Sequence, residues 1–582
     1  MVFFPFFLIC IHHITVDLGS QYIKSAESSV SGRPNIHLDP SNNVFVPSAA
    51  ALRNEQIVLE YKKGNGFESF SPRFGSQAVA ILKRKPHLGV EFLPRTIGRS
   101  NSSFDRSKVF SPSELLALYL QDYAKGFGVS PQFTFIVPFY WTRVQKKALS
   151  DICSQAGVGI ENVIDDLTSM ASHYSSTLYS RFVNKSRNVL FVDVGATSVK
   201  TYGFVFQNMD DSIVVNETVN GWNELTGGYF FAEAVSKAKG ISMKKAYKIL
   251  SSPGVETYAD LLNSSLTTLK NTIREAAQTM ESYIENQVAQ KNSRVIDEIQ
   301  IIGGATKYKF VYEAIKEATN CTKIFRDFDP IEGIAIGGVY SSIMIDGMSV
   351  VPPCQVHRKP FSSISVTCGQ THKYCQKGAI CRELITESGS KGCEYIGITA
   401  DPRHIPEGVD TMITEYKLLN ISKLRNDEDS DYTGYIYMSP PSPIVSYVQW
   451  CKNVTCYPIA FQVMEYDLFG ERKQKDFIID YFAELKELKL HRSQYEKTIM
   501  IIKSLSDAIQ KAEQEHPGSI EKFPEDAKIA FSKYIHEVEE GKLAERSTES
   551  LRGVYSHVRE LAASMLHKTQ PTPAPTPIDT EL

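Results

Sequence analysis

The chain has 582 residues, which is too long for one hydrophobic core and indicates three or four domains. Its formal net charge is only −3, which excludes bulk attraction to nucleic acid or to an anionic membrane surface. No apolar run reaches the roughly 18 residues that a membrane-spanning helix needs.

The two ends of the chain carry features of a protein of the secretory pathway. Residues 1–13 are mostly apolar and resemble a signal peptide, although they lack its basic start, and the alternative is that they extend the strand that follows. The terminal run from Asp579 to Leu582 resembles a lumenal retention signal, and several Asn-x-Ser/Thr sequons indicate a glycoprotein. Together these features predict the lumen of the endoplasmic reticulum.

A strand that ends in an aspartate and a glycine turn occurs twice, at 14–20 and at 189–198, and another strand runs into a glycine pair at 299–306. Because glycine lacks a Cβ, the N–H groups of such turns can approach a phosphate closely. The strand-end aspartates, Asp17 and Asp193, could each hold a Mg²⁺ ion through its water molecules. The repeat predicts two loops that clamp the phosphates of a nucleotide, although a single copy is usually an ordinary turn.

Strand-like and helix-like segments alternate through residues 14–348, which predicts a mixed α/β domain. Ser111 is the expected N-cap of one helix, with Pro112 in its first turn and Glu114 three residues on. A strand at 133–138 and a helix at 142–157 follow.

Residues 349–470 lose helical periodicity, and short β-rich runs between turn residues predict a β-sandwich. Clustered cysteines indicate disulfides in an oxidising compartment; zinc is the alternative, but no C-x₂-C pair occurs there. Their number is odd, so at least one stays unpaired locally. The β-rich runs are 363–368, 394–400, 412–419, 435–438, 444–450 and 459–466. The disulfide candidates are Cys354, Cys368, Cys375, Cys381, Cys393, Cys451 and Cys456.

The chain from 471 to 568 is predicted to form a helical domain. Its first helix carries Tyr481, Leu485, Leu488 and Tyr495 on one face. Further helices are predicted at 504–516, 524–540 and 547–567. The remaining residues, 569–582, are rich in proline and threonine and predict a disordered tail.

This order of modules resembles the 70-kilodalton heat-shock protein superfamily, in which an actin-like two-lobed ATPase domain precedes a β-sandwich and a helical domain. Runs that carry the resemblance are 136–141, 164–169, 225–228 and 329–338. The first turn, Asp-Leu-Gly-Ser, resembles the large endoplasmic-reticulum branch, the hypoxia up-regulated or 170-kilodalton glucose-regulated chaperones. This chain would be a divergent and short member of that branch.

The resemblance implies that ATP or ADP binds with Mg²⁺ between the lobes, and that Asp17 and Asp193 orient the waters of the metal. The first loop would contact the β-phosphate through Gly19, Ser20 and Gln21, and the second through Gly195, Ala196 and Thr197. Lys248 and Ser251 would hold the adenosine. The rest of the pocket would be lined by Gly227, Gly228, Gly303, Gly304, Ala305 and Lys307.

The chain departs from this family at positions that matter for hydrolysis. Pro94 stands where ATP-hydrolysing members carry a lysine, and Arg95 is the alternative donor. Asp166 replaces a longer glutamate, and Lys200 replaces an aspartate of the second loop. Phosphoryl transfer depends on positioned charges, so hydrolysis is expected to be slow or absent. No residue is assigned as catalytic; Asp193 and Asp166 are the candidates.

Two further departures concern the communication between domains. The segment over the adenosine is some twenty residues shorter than in the family, and residues 349–353 replace its acidic, leucine-rich interdomain linker. The sequence therefore predicts little allosteric signalling between the nucleotide domain and the β-sandwich.

The sequence therefore predicts a lumenal chaperone of protein folding and stress response that binds ATP and holds unfolded polypeptides. It would also act as nucleotide-exchange partner of a conventional lumenal heat-shock chaperone. Neither nucleic acid nor membrane is an expected partner. The alternatives are an autonomous ATP-hydrolysing chaperone, an interaction protein with an inactive nucleotide pocket, and an actin-like small-molecule kinase.

Overall fold

The computed structural model describes the chain from residue 13 to residue 567 with gaps, so the predicted tail and nearly all of the predicted signal segment lie outside the described residues. Among the described residues, no helix is both long enough and apolar enough to cross a membrane. Two compact units, Met1–Arg472 and Lys473–Leu582, are described in turn. The described residues are 13–28, 33–39, 42–52, 72–99, 111–128, 131–209, 212–252, 259–286, 296–345, 352–360, 362–369, 371–377, 383–386, 393, 395–419, 433–439, 444–452, 455–464, 476–539 and 542–567.

The first unit consists of α/β layers followed by β-sheets. Its strands are β1 (Ile14–Leu18), β2 (Tyr22–Ser28), β3 (Pro34–His37), β4 (Val46–Pro47), β5 (Ala50–Ala51), β6 (Arg73–Phe74), β7 (Gly89–Val90), β8 (Gln132–Val137), β9 (Gly159–Asp165), β10 (Arg187–Val194), β11 (Val199–Met209), β12 (Ser212–Asn223), β13 (Glu298–Ile302), β14 (Ile324–Phe325), β15 (Cys354–His357), β16 (Ile364–Cys368), β17 (Thr371–Cys375), β18 (Glu383–Thr386), β19 (Tyr395–Ala400), β20 (Met412–Leu418), β21 (Thr433–Ser439), β22 (Ile444–Lys452), β23 (Thr455–Pro458) and β24 (Phe461–Met464). Its helices are α1 (Gly75–Leu82), α2 (Pro112–Ala124), α3 (Arg143–Ala156), α4 (Asp166–Thr177), α5 (Gly228–Lys239), α6 (Met243–Leu250), α7 (Ala259–Glu285), α8 (Lys309–Thr319) and α9 (Gly333–Ile345).

Two sheets with the same strand order form the α/β part. The first has the order β3-β2-β1-β8-β9, and the second contains β12-β11-β10-β13-β14. In both, a hairpin pairs antiparallel and its first strand pairs parallel with a later strand on the other side. The repeated aspartate–glycine motifs therefore occupy equivalent turns, one between β1 and β2 and one between β10 and β11.

Local sequence signals explain where the helices of this part begin. The hydroxyl of Ser111 accepts a hydrogen bond from the N–H of Glu114, and the Glu114 carboxylate accepts one from the N–H of Ser111, as the sequence predicts. Thr142 and Gln145 form the same reciprocal cap at the start of α3. These caps satisfy N–H groups that have no partner inside the helix.

The β-rich part of the first unit is built from two sheets that share one core. Their orders are β17-β16-β19-β20-β24 and β18-β21-β22-β23. Val366, Ile396 and Tyr416 from the first sheet and Ile436 and Val448 from the second are buried in that core. Five of the six β-rich runs lie on strands close to the predicted bounds; β24 is shorter than the run predicted there.

Disulfide bonds cross-link this β module. Cys368 at the end of β16 is bonded to Cys393, and Cys375 and Cys451 are disulfide-bonded as well. Cys354 is instead a free thiol, which corrects its place among the disulfide candidates. It lies on β15 beside the Ser175 hydroxyl, and burial raises the pKa of its thiol to about 11. The side chains of Cys381 and Cys456 lie outside the described residues.

The Cys368–Cys393 disulfide closes a loop with a sequence separation of 25. Replacing both cysteines by serine is expected to lower the free energy of unfolding of the β module by about 3 kcal/mol, because the unfolded chain regains loop freedom. Urea denaturation, monitored by hydrogen exchange of β16 and β19, measures this loss. The matched control is Cys321→Ser at a free, partly exposed thiol, which is expected to leave the midpoint nearly unchanged. Equal midpoints for the double variant and the parent would contradict the prediction.

The segment that joins the two parts of the first unit is a strand of the second sheet. β15 pairs parallel with β12, from Ile213 opposite Cys354 to Asn216 opposite His357. Sequence analysis assigned no strand here, because edge addition to an existing sheet needs no local hydrophobic alternation. The connection is therefore anchored to the α/β part, although it lacks the acidic, leucine-rich sequence expected of a linker.

The second unit is helical. Its helices are α10 (Asp476–Glu515), α11 (Glu525–Glu539) and α12 (Thr548–His567). The two helices predicted before residue 516 are one continuous helix, which corrects the predicted division, because no proline or glycine interrupts 476–515. Ile502, Phe531 and Val558, one from each helix, are buried in a common core.

Candidate nucleotide-binding site

The second glycine turn is joined to two other predicted parts of the pocket. The N–H of Gly228 donates to the carbonyl of Gly195 at 3.0 Å, and the N–H of Tyr229 donates to that of Ala196 at 2.7 Å. A Cβ on Gly227 would lie 2.7 Å from the Ala196 oxygen, so only glycine allows this approach. The structure therefore brings the predicted residues at 195–197 and 227–228 together.

The glycine pair after β13 packs against the same turn. Gly303 has a positive φ of 88°, and a Cβ there would lie 2.3 Å from the Asp193 carboxylate. Its N–H donates to the carbonyl of Pro330 at 2.8 Å. Gly304, Ala305 and Lys307 follow in a 3₁₀ turn, so this group lies directly beside Asp193.

The first glycine turn lies in the other half of the α/β part. Gly19, Ser20 and Gln21 connect β1 to β2, and the N–H of Ser48 donates to the carbonyl of Gln21 at 2.9 Å. The Ser48 hydroxyl also donates to the carbonyl of Ser20. These bonds fix the shape of the turn.

Each turn aspartate forms an ion pair with a lysine on the following strand. Asp17 faces Lys24 across β1 and β2, and Asp193 faces Lys200 across β10 and β11. The Lys24 ammonium contacts Asp17, and the Lys200 nitrogen lies 2.7 Å from Asp193 and 2.5 Å from Asp166. Asp166 also accepts a hydrogen bond from the backbone N–H of Phe139 at 3.0 Å.

These contacts do not fit the Mg²⁺ ion that the resemblance implies. Mg²⁺ needs free carboxylate oxygens and keeps several of its waters in near-octahedral geometry. Here an ammonium group lies against Asp17, and a second bridges Asp193 and Asp166. Within the described residues, no cluster of three or more Cys, His, Asp or Glu side chains could hold a metal ion.

The buried cluster of Lys200, Asp166 and Asp193 carries two carboxylates for one ammonium. Burial raises the pKa of Asp166 to about 6, although Lys200 opposes this rise. Burial would lower the pKa of Lys200, but Asp166 and Asp193 together raise it well above its usual range. The Asp166 carboxyl therefore takes up a proton at a higher pH than an ordinary aspartate does.

Asp166→Asn is expected to change the pH dependence of stability. The pKa of Asp166 is about 6 in the folded protein and its ordinary value is 3.8. Its protonation therefore stabilises the folded state fully below pH 4, and this stabilisation is lost as the pH rises through 6. The asparagine variant should gain stability relative to the parent by up to about 3 kcal/mol between pH 4 and pH 7. Urea denaturation across this range measures the difference. Asp122→Asn, at an exposed ion pair, is the control, and a pH-independent difference for Asp166→Asn would contradict the prediction.

Pro94 is buried in a 3₁₀ turn, and the neighbouring arginines pair with a glutamate from the other half. The Arg95 and Arg99 guanidiniums lie 2.6 Å and 2.8 Å from the same oxygen of Glu224. The hydroxyl of Tyr140 donates to that oxygen at 3.0 Å. Arg95 is thus held by Glu224, and these contacts close the two halves of the α/β part against each other.

The two predicted adenosine contacts, Lys248 and Ser251, have different surroundings. Ser251 caps α6 and lies beside Tyr308, the residue that follows Lys307. Burial raises the pKa of the Tyr308 phenol to about 12. Lys248 is exposed on the same helix. The structure therefore places Ser251, but not the side chain of Lys248, against the group that follows β13.

A cavity of about 1280 Å³ lies between α7, β12 and the β module and reaches Arg95 and Arg99 of the Glu224 cluster. It is lined by Trp222, Glu224, Asn271, Lys359 and Arg403, among others, and by none of the predicted nucleotide contacts.

Sequence analysis missed three residues that pair with buried or partly buried charges: Lys24, Glu224 and Arg358, which pairs with Asp165 and Glu217. A signal for Lys24 was present, because it follows Asp17 at the same spacing as Lys200 follows Asp193. No local signal marks Glu224 or Arg358, whose partners lie far away in the sequence.

No protein-family model matches the chain. A ribosome-associated molecular chaperone of Eremothecium gossypii is 22 % identical over 395 residues, which cover 58 % of this chain and 62 % of that relative. The chain therefore spans less than two thirds of the length of this relative. That relative is a ribosome-associated molecular chaperone, so the similarity gives no support to the lumenal branch.

Proposed function

We propose that this protein is a divergent chaperone that holds unfolded polypeptides and binds ATP or ADP in the cleft of its α/β part with slow or absent hydrolysis. The similarity to a ribosome-associated molecular chaperone supports the chaperone class. The two sheets with equivalent glycine turns support a nucleotide cleft, because glycine lets a phosphate approach such turns closely and the loops at 195–197 and 227–228 are bonded to each other.

The observation that carries the low-turnover proposal is the position of Lys200. Its ammonium bridges Asp166 and Asp193, the two candidates for orienting a metal or a water molecule. A carboxylate that is paired in this way is a poor general base and a poor metal ligand. Pro94 has no N–H and no charge, so it offers no substitute for the missing lysine.

Residence in the endoplasmic reticulum and action as an exchange partner belong to the same proposal. The disulfides of the β module favour an oxidising compartment. The pairing of β15 with β12 anchors the start of the β module to the α/β part, as a protein that presents one stable surface to a partner chaperone would need. Unfolded polypeptides are the clients and a conventional lumenal heat-shock chaperone is the partner in this proposal.

The client-holding activity is tested by light scattering of a chemically unfolded reporter enzyme that is diluted into buffer with the full chain. Suppressed aggregation in the absence of ATP is expected, and aggregation equal to that with an inert protein of the same size would contradict the proposal. The exchange activity is tested by ADP release from a conventional lumenal chaperone. If ADP release stays at its spontaneous rate at saturating concentrations of this protein, the proposed exchange activity is wrong.

An interaction protein with an inactive pocket is the second candidate, and the paired lysines favour it, because they neutralise both turn aspartates. Binding of ATP to the full chain, measured by titration calorimetry, distinguishes the two candidates.

A further inference from the structure

The lysine–aspartate pairs occur in equivalent places in both halves of the α/β part. Lys24 lies seven residues after Asp17, and Lys200 lies seven residues after Asp193. In each hairpin these residues face each other across the two strands. The side chains of Lys24 and Lys200 are only 11 % and 10 % exposed, so they are largely buried and not part of the solvated surface.

A buried lysine ammonium group can supply some of the interactions that a metal ion supplies. It carries positive charge, donates up to three hydrogen bonds, and needs no coordination shell of its own. Lys24 neutralises Asp17, and Lys200 offsets half of the charge on Asp166 and Asp193. The repulsion between these carboxylates and a polyphosphate is therefore reduced without a divalent cation.

The turns beside these pairs keep donors and space for an anion. The Thr197 hydroxyl is fully buried in the second turn and has no hydrogen-bond partner among the described residues. Gly304 borders open space, because a Cβ on it would meet no described atom within 4 Å. In the first turn, a Cβ added to Gly19 would lie 3.2 Å from the Lys24 ammonium. The positive charge of Lys24 therefore lies next to the backbone of this turn.

We infer that the cleft takes the metal-free di- or triphosphate of a nucleotide, with Lys24 and Lys200 supplying the positive charge of the absent Mg²⁺ site. The inference rests on the proposed function, because it concerns the same cleft. It adds that the ligand is the free polyphosphate anion and that Mg²⁺ is not required for binding.

Titration calorimetry of the full chain with ATP, in EDTA and in excess Mg²⁺, tests the inference. The dissociation constants are expected to agree within about threefold, whereas binding weakened more than about tenfold by EDTA would overturn the inference and leave the proposed function intact. The absence of binding in both conditions would overturn the inference together with the nucleotide-binding part of the proposed function.

Variants of the two lysines test whether they are the reason that ATP binding does not require Mg²⁺. In Lys200→Met, Asp166 and Asp193 become available as oxygen ligands, so binding of ATP should become dependent on Mg²⁺. Electron paramagnetic resonance should then detect bound Mn²⁺ in the variant but not in the parent. Lys24→Met provides the same test if circular dichroism shows that Lys200→Met does not fold. Lys237→Met, at an exposed ion pair of α5, is the control. Metal-independent binding in both cleft variants would overturn the role of the lysines.

Discussion

Arg358→Ala is expected to lower the free energy of unfolding of the first unit by about 3–5 kcal/mol, because it leaves buried carboxylates without their partner. The Arg358 guanidinium contacts Asp165 and donates to Glu217 at 2.8 Å. Burial opposes ionisation of Asp165, but Arg358 and Lys146 together lower its pKa below the ordinary value. The side chain of Glu217 has no solvent exposure, so water cannot replace Arg358 there.

This substitution should also loosen the connection to the β module. Arg358 directly follows β15, and the N–H of Lys359 donates to Glu217 at 2.7 Å, so one cluster holds the strand end. Proteinase K cleavage within 352–360, monitored by mass spectrometry beside urea denaturation, should accelerate. Arg403→Ala is the control, since Arg403 is exposed and pairs with Asp401 at 2.6 Å. An unchanged unfolding midpoint and cleavage rate for Arg358→Ala would contradict the account of the anchored strand.

Glu224→Gln is expected to destabilise the α/β part by about 3 kcal/mol, because one substitution removes a charge partner that Arg95 and Arg99 of the other half share. Glutamine keeps the shape of the side chain and can still accept a bond from Tyr140, so the effect reports the charge. Hydrogen exchange of the segments at 93–97 and 222–226 should rise together.

The matched control for this substitution is Glu233→Gln, at a surface pair with Lys237 on α5. It makes the same chemical change where water screens the charge, so the unfolding midpoint and the exchange of both segments should stay near those of the parent. If exchange rises in only one of the two segments of Glu224→Gln, the glutamate does not tie the halves together.

The parts of the fold that could be predicted are those set by local sequence. The helix that begins after Ser111 follows from its capping residues, and β8 and α3 follow from their apolar patterns. The β-rich runs carry alternating apolar residues, and most of them are strands with nearly the predicted bounds. The aspartate–glycine turns could be located because glycine and aspartate have distinct backbone preferences.

The parts that could not be predicted depend on register and on distant partners. The contact of Lys24 with Asp17 requires the register of the hairpin, which the sequence does not state directly. β15 becomes a strand only because β12 offers an open edge. The free thiol of Cys354 follows from the same placement, since the strand holds it beside Ser175 in the α/β part.

The central claim, that the cleft binds ATP and does not turn it over quickly, is tested most directly by a single-turnover measurement. The full chain in excess is mixed with γ-labelled ATP, and each sample is divided between a filter-binding assay and an acid quench. The account predicts saturable retention of intact ATP while free phosphate stays close to that of a protein-free blank. Phosphate release that follows binding within seconds, and that is lost in Asp193→Asn, would contradict the account.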